Sequence, residues 1–164
     1  MKMRGPLTFY FDFVTFPLLG AFLFAEFCRS WEFVGWAAFG AVLFTFMEYW
    51  VHRIALHRFF YHGTHERHHL HPEEYVVFPI WYTPAIFVVF LLIFPIPVFT
   101  GLVVGFCWFI YWHHILHHFD LSGLKLIRRY AIWHLAHHRR DDVNFGITVS
   151  LWDWIFGTYQ GANK

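Results

Sequence analysis

The sequence predicts an all-α integral membrane protein, and three observations lead to this fold class. Hydrophobic residues make up 58% of the 164 residues and charged residues only 14%, against about 25% charged in a typical soluble domain. The apolar residues form four long stretches. All 14 histidines lie between His52 and His138. The length predicts one domain over residues 1–164. The low share of charged residues predicts that much of its surface faces lipid.

The first two apolar stretches, residues 9–27 and 31–51, each have the length of a membrane span. A helix of about 20 residues crosses a hydrocarbon core of about 30 Å. The first stretch is too long for a signal-peptide core and is followed by no small-residue cleavage site, so we expect it to stay in the protein.

The third and fourth stretches, residues 80–94 and 98–112, are shorter. Pro95, Pro97 and Gly101 separate them. They are predicted to form either two tight spans or a hairpin that enters the membrane and returns. The sequence therefore predicts four membrane helices, or two full spans and one hairpin.

Basic residues predict the orientation. Of the 12 Lys and Arg residues, all but Arg29 fall before the first stretch, between the second and third, or after the fourth. The positive-inside rule places those segments, and with them both termini, in the cytoplasm. Residues 52–75 and 120–164 are expected to form a helical cap there. A net charge of +1 provides no basic face for nucleic acid.

The histidines form four groups whose spacing is typical of metal ligands. The groups are His52 and His57, then His65, His68 and His69, then His113 and His117, and finally His134, His137 and His138. Helical residues three or four apart share a face, so each H-x2-H-H group is expected to converge on one point. A five-residue step rotates by about 500°, which leaves open whether the first pair serves one metal or two.

Ten convergent imidazoles are more than one metal ion uses. Structural zinc sites take four ligands and usually include cysteine, and neither Cys28 nor Cys107 is near these groups. Imidazole suits Fe, Zn, Cu and Ni. Five ligands per ion predict two ions with open positions. A redox task favours iron, since zinc has no redox chemistry, although zinc can occupy such a site during purification.

Four histidines are left over: His62, His71, His114 and His118. The last two lie on a face of their helix rotated by about 100° from His113 and His117. The spacing alone therefore leaves open which of the two pairs binds metal.

Acidic residues near these groups are candidates to orient the ligands. A ligating imidazole usually donates its second N–H to a carboxylate or carbonyl. Glu48, one turn before His52, is one candidate. Asp141 and Asp142, beside His138, are equally well explained as partners of the neighbouring arginines.

The ordered set of four histidine boxes resembles the fatty acid hydroxylase and sterol desaturase superfamily. Residues 144–148 (Asn-Phe-Gly-Ile-Thr), 151–153 (Leu-Trp-Asp) and 156–158 (Phe-Gly-Thr) resemble the C-terminal signature of that family. Residues 65–72 (His-Glu-Arg-His-His-Leu-His-Pro) are most similar to its fatty acid 2-hydroxylase branch. The resemblance covers about residues 45–160 of the chain.

The resemblance implies four membrane helices under a cytoplasmic cap and a di-iron oxygenase. Such an enzyme hydroxylates a lipid C–H bond, in a fatty acyl chain, sphingolipid, sterol or related molecule, with O2 and two electrons. Matching the third box to H-x-x-x-H-H selects His113 and His117. The implied metal ligands are His52, His57, His65, His68, His69, His113, His117, His134, His137 and His138.

The sequence departs from this pattern in two respects. It has no nicotinamide or flavin fingerprint and no fused haem domain, so we expect a separate electron donor, such as a b-type cytochrome, a ferredoxin or a reductase. Residues 73–79 lack the basic residue expected in the 2-hydroxylase branch, so the resemblance does not specify the substrate.

Other functions fit parts of the pattern. A lipid desaturase, a sterol desaturase or a carotenoid hydroxylase would use the same metal site. A membrane metal-binding or transport protein is a different class, but the histidines lie on one membrane side with no polar path beyond them. A bis-histidine haem protein would need only a few of these residues.

Overall fold

Helices make up all the regular secondary structure in the part of the chain that the structure describes. The structure is a computed structural model, and it describes residues 7–59, 62–74 and 79–161. The helices are α1 (Leu7–Phe27), α2 (Trp31–Trp50) with a π-helical continuation (Val51–Phe59), α3 (His62–Leu70), α4 (Tyr82–Ile93), α5 (Ile96–His118), α6 (Lys125–Arg139) and α7 (Leu151–Phe156). The predicted all-α class is confirmed.

Among the described residues, three helical segments are long and apolar enough to cross a membrane: Tyr10–Phe27, Trp31–Phe59 and Ile96–His118. A fourth apolar helix, α4, has 12 residues and a length of about 18 Å. This set of helices makes the chain an integral membrane protein, as predicted.

The fourth stretch differs from its prediction. We expected a short segment of residues 98–112, whereas α5 runs for 23 residues, or about 35 Å, and is long enough to span the membrane. It begins before Pro97, which is tolerated in a first turn because its missing N–H has no partner there. It also continues through Gly101 and ends in polar histidines, which hid its full length in the hydropathy pattern.

The chain divides into two compact units. The first comprises Met1–Phe44 and Val76–Ile110, and the second comprises Thr45–Tyr75 and Tyr111–Lys164. All the histidines of the four groups belong to the second unit. A single domain over residues 1–164 stays a prediction.

An aromatic cluster forms the core of the first unit. Phe16 of α1 is in contact with Phe87 of α4 and Phe106 of α5, with ring centroids 4.6 and 4.7 Å apart. The rings of Phe87 and Phe106 lie 5.2 Å from each other. Such tilted and edge-to-face pairs contribute about 0.5–1.5 kcal/mol each beyond the area they bury.

Helices α2 and α5 approach each other closely at two glycines. A Cβ atom on Gly40 would lie 2.2 Å from the carbonyl oxygen of Val98, and one on Gly101 would lie 2.0 Å from that of Ala37. Both contacts are with backbone, which cannot move aside. Small residues that let two backbones meet are a common packing device between membrane helices, where the hydrophobic effect provides little driving force.

Replacement of Gly40 by Ala is expected to destabilise the first unit. The added methyl group must push α5 away from α2, at a cost of about 1–3 kcal/mol for overpacking. A lower unfolding midpoint of the detergent-purified protein, followed by tryptophan fluorescence, would show this. Gly35→Ala is the matched control, because Gly35 is on the same helix and a Cβ there meets nothing within 4 Å. Equal midpoints for the two variants would contradict the close contact.

Candidate metal centre

The two histidines of the first group lie on the π-helical segment Val51–Phe59, which directly continues α2. In a π-helix each N–H bonds to the carbonyl five residues earlier, so residues five apart lie near the same face. His52 and His57 are five apart, and their ring centroids are separated by 5.1 Å. The π-helix thus brings both rings into one cluster, which α-helical geometry would not do.

The histidines assemble into two clusters. The first histidine cluster consists of His52, His57, His65, His69 and His137. The second histidine cluster consists of His68, His113, His117 and His138, joined by His134. The expectation that each H-x2-H-H group converges on one point is wrong. Consecutive helical residues diverge by about 100°, so His68 and His69 turn toward different clusters, as do His137 and His138.

Imidazole Nε2 atoms meet at the centre of the first histidine cluster. The Nε2 of His65 lies 2.9 Å from that of His52 and 3.1 Å from those of His57 and His69. The Nε2 of His137 lies 3.0 Å from that of His52 and 3.1 Å from that of His57. All five candidate ligand atoms lie within 4.8 Å of one another, a spacing that suits one central ion.

The second histidine cluster has the same construction. The Nε2 of His113 lies 3.2 Å from that of His68 and 3.1 Å from that of His117. The Nε2 of His134 lies 2.9 Å from that of His117 and 3.2 Å from that of His138. The structure therefore brings the ten predicted histidines together as two groups of five.

The protonation of two rings shows that this donor set fits a cation. Nδ1 of His52 donates to the carbonyl of Phe145 at 2.5 Å, and Nδ1 of His137 donates to the carbonyl of Val143 at 2.7 Å. A carbonyl only accepts, so the Nε2 of each neutral ring carries a lone pair. These two Nε2 atoms face each other at 3.0 Å. Two facing lone pairs repel, and a metal ion among them turns the repulsion into coordination.

Burial keeps the clustered histidines of α3 and α6 in the neutral form that binds metals. It lowers the pKa of His68 to about 3, with a further contribution from His117, and the pKa of His138 to about 2, with contributions from His68 and His69. It also lowers the pKa of His69 to about 4. A histidine must be deprotonated to act as a ligand. At neutral pH these rings can therefore bind a metal ion without first releasing a proton.

The remaining histidines lie elsewhere. His114 and His118 pair with each other, with ring centroids 4.5 Å apart. His113 and His117, the pair that the family resemblance selects, are the ones in the second histidine cluster, and their role as ligands stays a prediction. His71 is exposed, with Nδ1 3.7 Å from a carboxylate oxygen of Glu73. The side chain of His62 lies outside the described residues.

Glu48 has a different partner from the one predicted. We expected its carboxylate to orient His52. It instead accepts hydrogen bonds from the backbone N–H groups of Ile147 and Thr148, at 2.6 and 3.2 Å, and from the hydroxyl of Thr148. Glu48 is therefore bound to the loop that follows α6.

The aspartates after α6 are at the surface. Asp142 forms an exposed ion pair with Arg140, with 3.0 Å between Oδ2 and Nη2, which confirms the arginine-pairing alternative for this residue. Asp141 is exposed, and its charge favours the protonated form of His69.

Sequence reasoning missed the loop of residues 143–148 and its anchor, Asp153. The loop supplies the two carbonyls that accept from the histidines. Asp153 is fully buried and accepts from the N–H groups of Phe145 and Gly146 at 2.8 and 2.9 Å. The signal in the sequence is the single acidic residue, Asp153, within the otherwise apolar helix α7.

Comparison with protein families identifies the chain. A family model described as "Fatty acid hydroxylase" matches residues 37–158. The chain belongs to the fatty acid hydroxylase family. The matched range contains every histidine of both clusters and well over half of the chain, so the predicted family membership is confirmed.

Curated relatives of this family member are hydroxylases of fatty acyl chains. The chain is 33% identical over 145 residues to the dihydroceramide fatty acyl 2-hydroxylase FAH2 of Arabidopsis thaliana, covering 76% of this chain and 60% of the relative. It is 28% identical over 164 residues to the fatty acid 2-hydroxylase of Rattus norvegicus, covering 83% of this chain and 44% of the relative. The chain thus spans about three fifths or less of the length of these relatives.

A solved structure shares the fold. It is described as full-length scs7p with only the hydroxylase domain visible, and it superposes with a TM-score of 0.74 at 20% sequence identity. The superposition covers 95% of this chain and 68% of that chain. At this identity the similarity supports the architecture of the helices rather than any particular chemistry.

Replacement of a histidine at the centre of a cluster is expected to empty that cluster. His65 is 5% exposed, and its Nε2 contacts those of three other rings, so His65→Ala should lower the metal content from about two ions per chain toward one. Elemental mass spectrometry of the detergent-purified protein measures this. His71→Ala is the control, since that ring is exposed and lies outside both clusters. Unchanged metal content in His65→Ala would contradict the assignment.

The metal-free protein is expected to lose stability as pH falls from about 6.5 to 5. Unfolded imidazoles take up protons near pH 6.5, whereas His68 and His69 in the folded protein do so only near pH 3 and 4. The unfolded state therefore binds more protons in this window, and acidification favours it. Unfolding midpoints in the presence of a chelator, followed by tryptophan fluorescence, should decrease across the window. A constant or rising midpoint would contradict neutral buried rings.

Proposed function

We propose that this chain hydroxylates a C–H bond of a fatty acyl chain, with O2 as co-substrate and two iron ions bound by the two histidine clusters. The observation that carries the proposal is the convergence of ten imidazoles, five around each of two points, in a member of the fatty acid hydroxylase family. Imidazole is a good ligand for iron. Zinc would fill the same positions but has no redox chemistry.

The proposed ligands of one ion are the five rings of the first histidine cluster, and those of the other ion are the five rings of the second. Two iron ions in these positions would supply the redox chemistry that activates O2. The protein holds the imidazoles neutral and orients two of them through backbone carbonyls. Burial of the rings also limits the access of water, which protects reactive species from side reactions.

The proposed reaction balances with an external reductant. One C–H bond of the lipid and the O–O bond of O2 break, one oxygen atom enters the lipid as a hydroxyl group, and the other leaves as water. This requires two electrons and two protons for each turnover. We propose that a separate redox protein, such as a b-type cytochrome, a ferredoxin or a reductase, supplies the electrons.

The printed names of the relatives support a fatty acyl substrate. FAH2 of Arabidopsis thaliana is a dihydroceramide fatty acyl 2-hydroxylase, and the Rattus norvegicus relative is a fatty acid 2-hydroxylase. We therefore propose the carbon next to the acyl carbonyl as the position that is hydroxylated. The apolar helices of an integral membrane protein suit a substrate that resides in lipid.

The distribution of basic residues supports a cytoplasmic metal centre. Eleven of the 12 Lys and Arg residues lie in segments on one side of the predicted spans, which the positive-inside rule assigns to the cytoplasm. The histidine groups lie in or next to these segments. A soluble or peripheral electron donor in the cytoplasm would then reach the site.

Iron-loaded protein is expected to add one oxygen atom to a fatty acid or ceramide. The full chain in detergent or lipid vesicles would be incubated with a chemical or protein reductant, substrate and ¹⁸O2, and the products analysed by mass spectrometry. The expected product carries one ¹⁸O atom at carbon 2. His68→Ala should abolish it, because this variant lacks a ligand of the second histidine cluster, whereas His71→Ala should leave it unchanged.

Other outcomes identify the alternatives. A product lighter than the substrate by two hydrogens would show that the reaction is desaturation and not hydroxylation. A strong Soret absorption band in the purified protein would show that the cofactor is haem and not two iron ions. Equal product from the wild type and His68→Ala would separate the activity from the histidine clusters altogether.

A further inference from the structure

Two ligand histidines are oriented by one short loop. The carbonyl of Val143 accepts from Nδ1 of His137, and the carbonyl of Phe145 accepts from Nδ1 of His52. Both histidines belong to the first histidine cluster. The loop therefore contacts two rings of the same cluster.

Two buried carboxylates hold this loop by four consecutive backbone N–H groups. Asp153 accepts from the N–H groups of Phe145 and Gly146, and Glu48 accepts from those of Ile147 and Thr148. Asp153 is 0% exposed and Glu48 is 8% exposed. A carboxyl group this deeply buried is stable only when its oxygens accept hydrogen bonds.

The two carboxylates approach the loop from different elements. Asp153 is on α7 and Glu48 is on the last turn of α2, so the loop is held between distant parts of the sequence. The hydroxyl of Thr158 adds a 2.6 Å hydrogen bond to Asp153, and the hydroxyl of Thr148 adds one to Glu48. The backbone at positions 145 to 148 thus has little freedom to move.

The loop itself has a backbone that few residues accept. Asn144 has a φ of 55°, in the left-handed region that Asn tolerates better than most residues. Its side chain donates to the carbonyls of Trp133 and Gln160, each at 3.1 Å. A Cβ on Gly146 would lie 2.2 Å from the carbonyl oxygen of Val149 and 2.9 Å from the carboxylate of Asp153. These features place the carbonyl of Phe145, between positions 144 and 146, at a defined point.

We infer that Glu48 and Asp153 are positioning residues for the first metal ion. They fix the carbonyls of Val143 and Phe145, and these carbonyls hold His52 and His137 in the tautomer that directs a lone pair on Nε2 toward the metal. The carboxylates accept from the N–H groups of the loop and act on the two rings through it. The inference rests on the proposed function only in treating the two histidine clusters as metal sites.

The consequence is an asymmetry between the two metal ions. The loop carbonyls contact His52 and His137 of the first histidine cluster. Weakening the loop should therefore loosen one ion and spare the other. Loss of such an orienting interaction typically lowers metal affinity by about 10- to 100-fold.

Release of zinc from the full chain in detergent tests the inference. The protein is loaded with two equivalents of Zn²⁺, and transfer to a chromophoric chelator is followed at neutral pH. In Asp153→Asn and Glu48→Gln an amide NH2 group replaces one carboxylate oxygen and meets the backbone N–H donors. We expect one equivalent to leave at least about 10-fold faster than in the wild type, as a 10- to 100-fold loss of affinity implies, and the other to leave at the wild-type rate.

Matched controls separate orientation from a general loss of folding. Asp142→Asn neutralises an exposed acid next to the loop. Thr45→Val removes a partly buried hydrogen-bond partner of Trp152, one turn before Glu48. Both should release zinc as the wild type does. If the carboxylate variants do not fold, Thr148→Val decides, because it removes one hydrogen bond to Glu48 and keeps both carboxylates.

Combined variants assign the faster phase to a cluster. His57→Ala removes a ligand of the first histidine cluster and should accelerate the release of the same zinc equivalent as Asp153→Asn. When the two substitutions are combined, their effects on this rate should not add. His113→Ala removes a ligand of the second and should accelerate the other phase, with additive effects. The inference would be overturned if both zinc equivalents left equally faster, or if Asp153→Asn and Glu48→Gln released zinc as the wild type does. If neither carboxylate variant folds, wild-type release in Thr148→Val would overturn it.

The zinc experiment is independent of catalysis. It involves no substrate, oxygen or iron, so a protein that fails to hydroxylate lipids can still show selective release. Conversely, lipid hydroxylation by a protein in which Asp153→Asn releases zinc normally would support the proposed function and overturn the positioning role.

Discussion

The repulsion among closely packed, neutral imidazoles is the constraint on which the arrangement of this protein depends. Ten Nε2 atoms meet in two groups, with neighbouring nitrogens 2.9 to 3.2 Å apart. No proton lies between His52 and His137 when their Nδ1 atoms donate to carbonyls, so only a cation makes this contact favourable. Burial supports the same outcome, since it holds the pKa of rings such as His68 and His138 far below neutrality.

The elements around the clusters each meet one requirement of this arrangement. The π-helical end of α2 places two rings five residues apart on one face. The loop of residues 143–148 presents two carbonyls to the rings, and Glu48 and Asp153 hold that loop by its N–H groups. Buried carboxylates are costly without such donors, and here four backbone N–H groups and two hydroxyls satisfy them. The N–H groups of the loop therefore stabilise the two buried carboxylates, and the carboxylates hold the loop in place.

Much of this could be predicted from sequence because it depends on local spacing. Apolar length and the histidine boxes predicted the helices, the membrane and the ten clustered rings. The π-helix was not predictable from α-helical geometry, which separates His52 and His57. Each H-x2-H-H box contributes rings to both clusters. The spacing predicts that the three rings share a helix face, but rings on one face need not point at the same metal ion. Asp153 accepts from N–H groups 7 and 8 positions before it, and Glu48 from N–H groups 99 and 100 positions after it. No pattern of helical spacing predicts such contacts.

We propose that each histidine cluster holds one metal ion. An anomalous-difference map recorded at the iron absorption edge, from crystals of the iron-loaded full chain, would locate these ions. Two peaks are predicted, one surrounded by the Nε2 atoms of the first histidine cluster and one by those of the second. A single peak, or a peak beside His114 and His118 instead, would contradict one ion in each cluster.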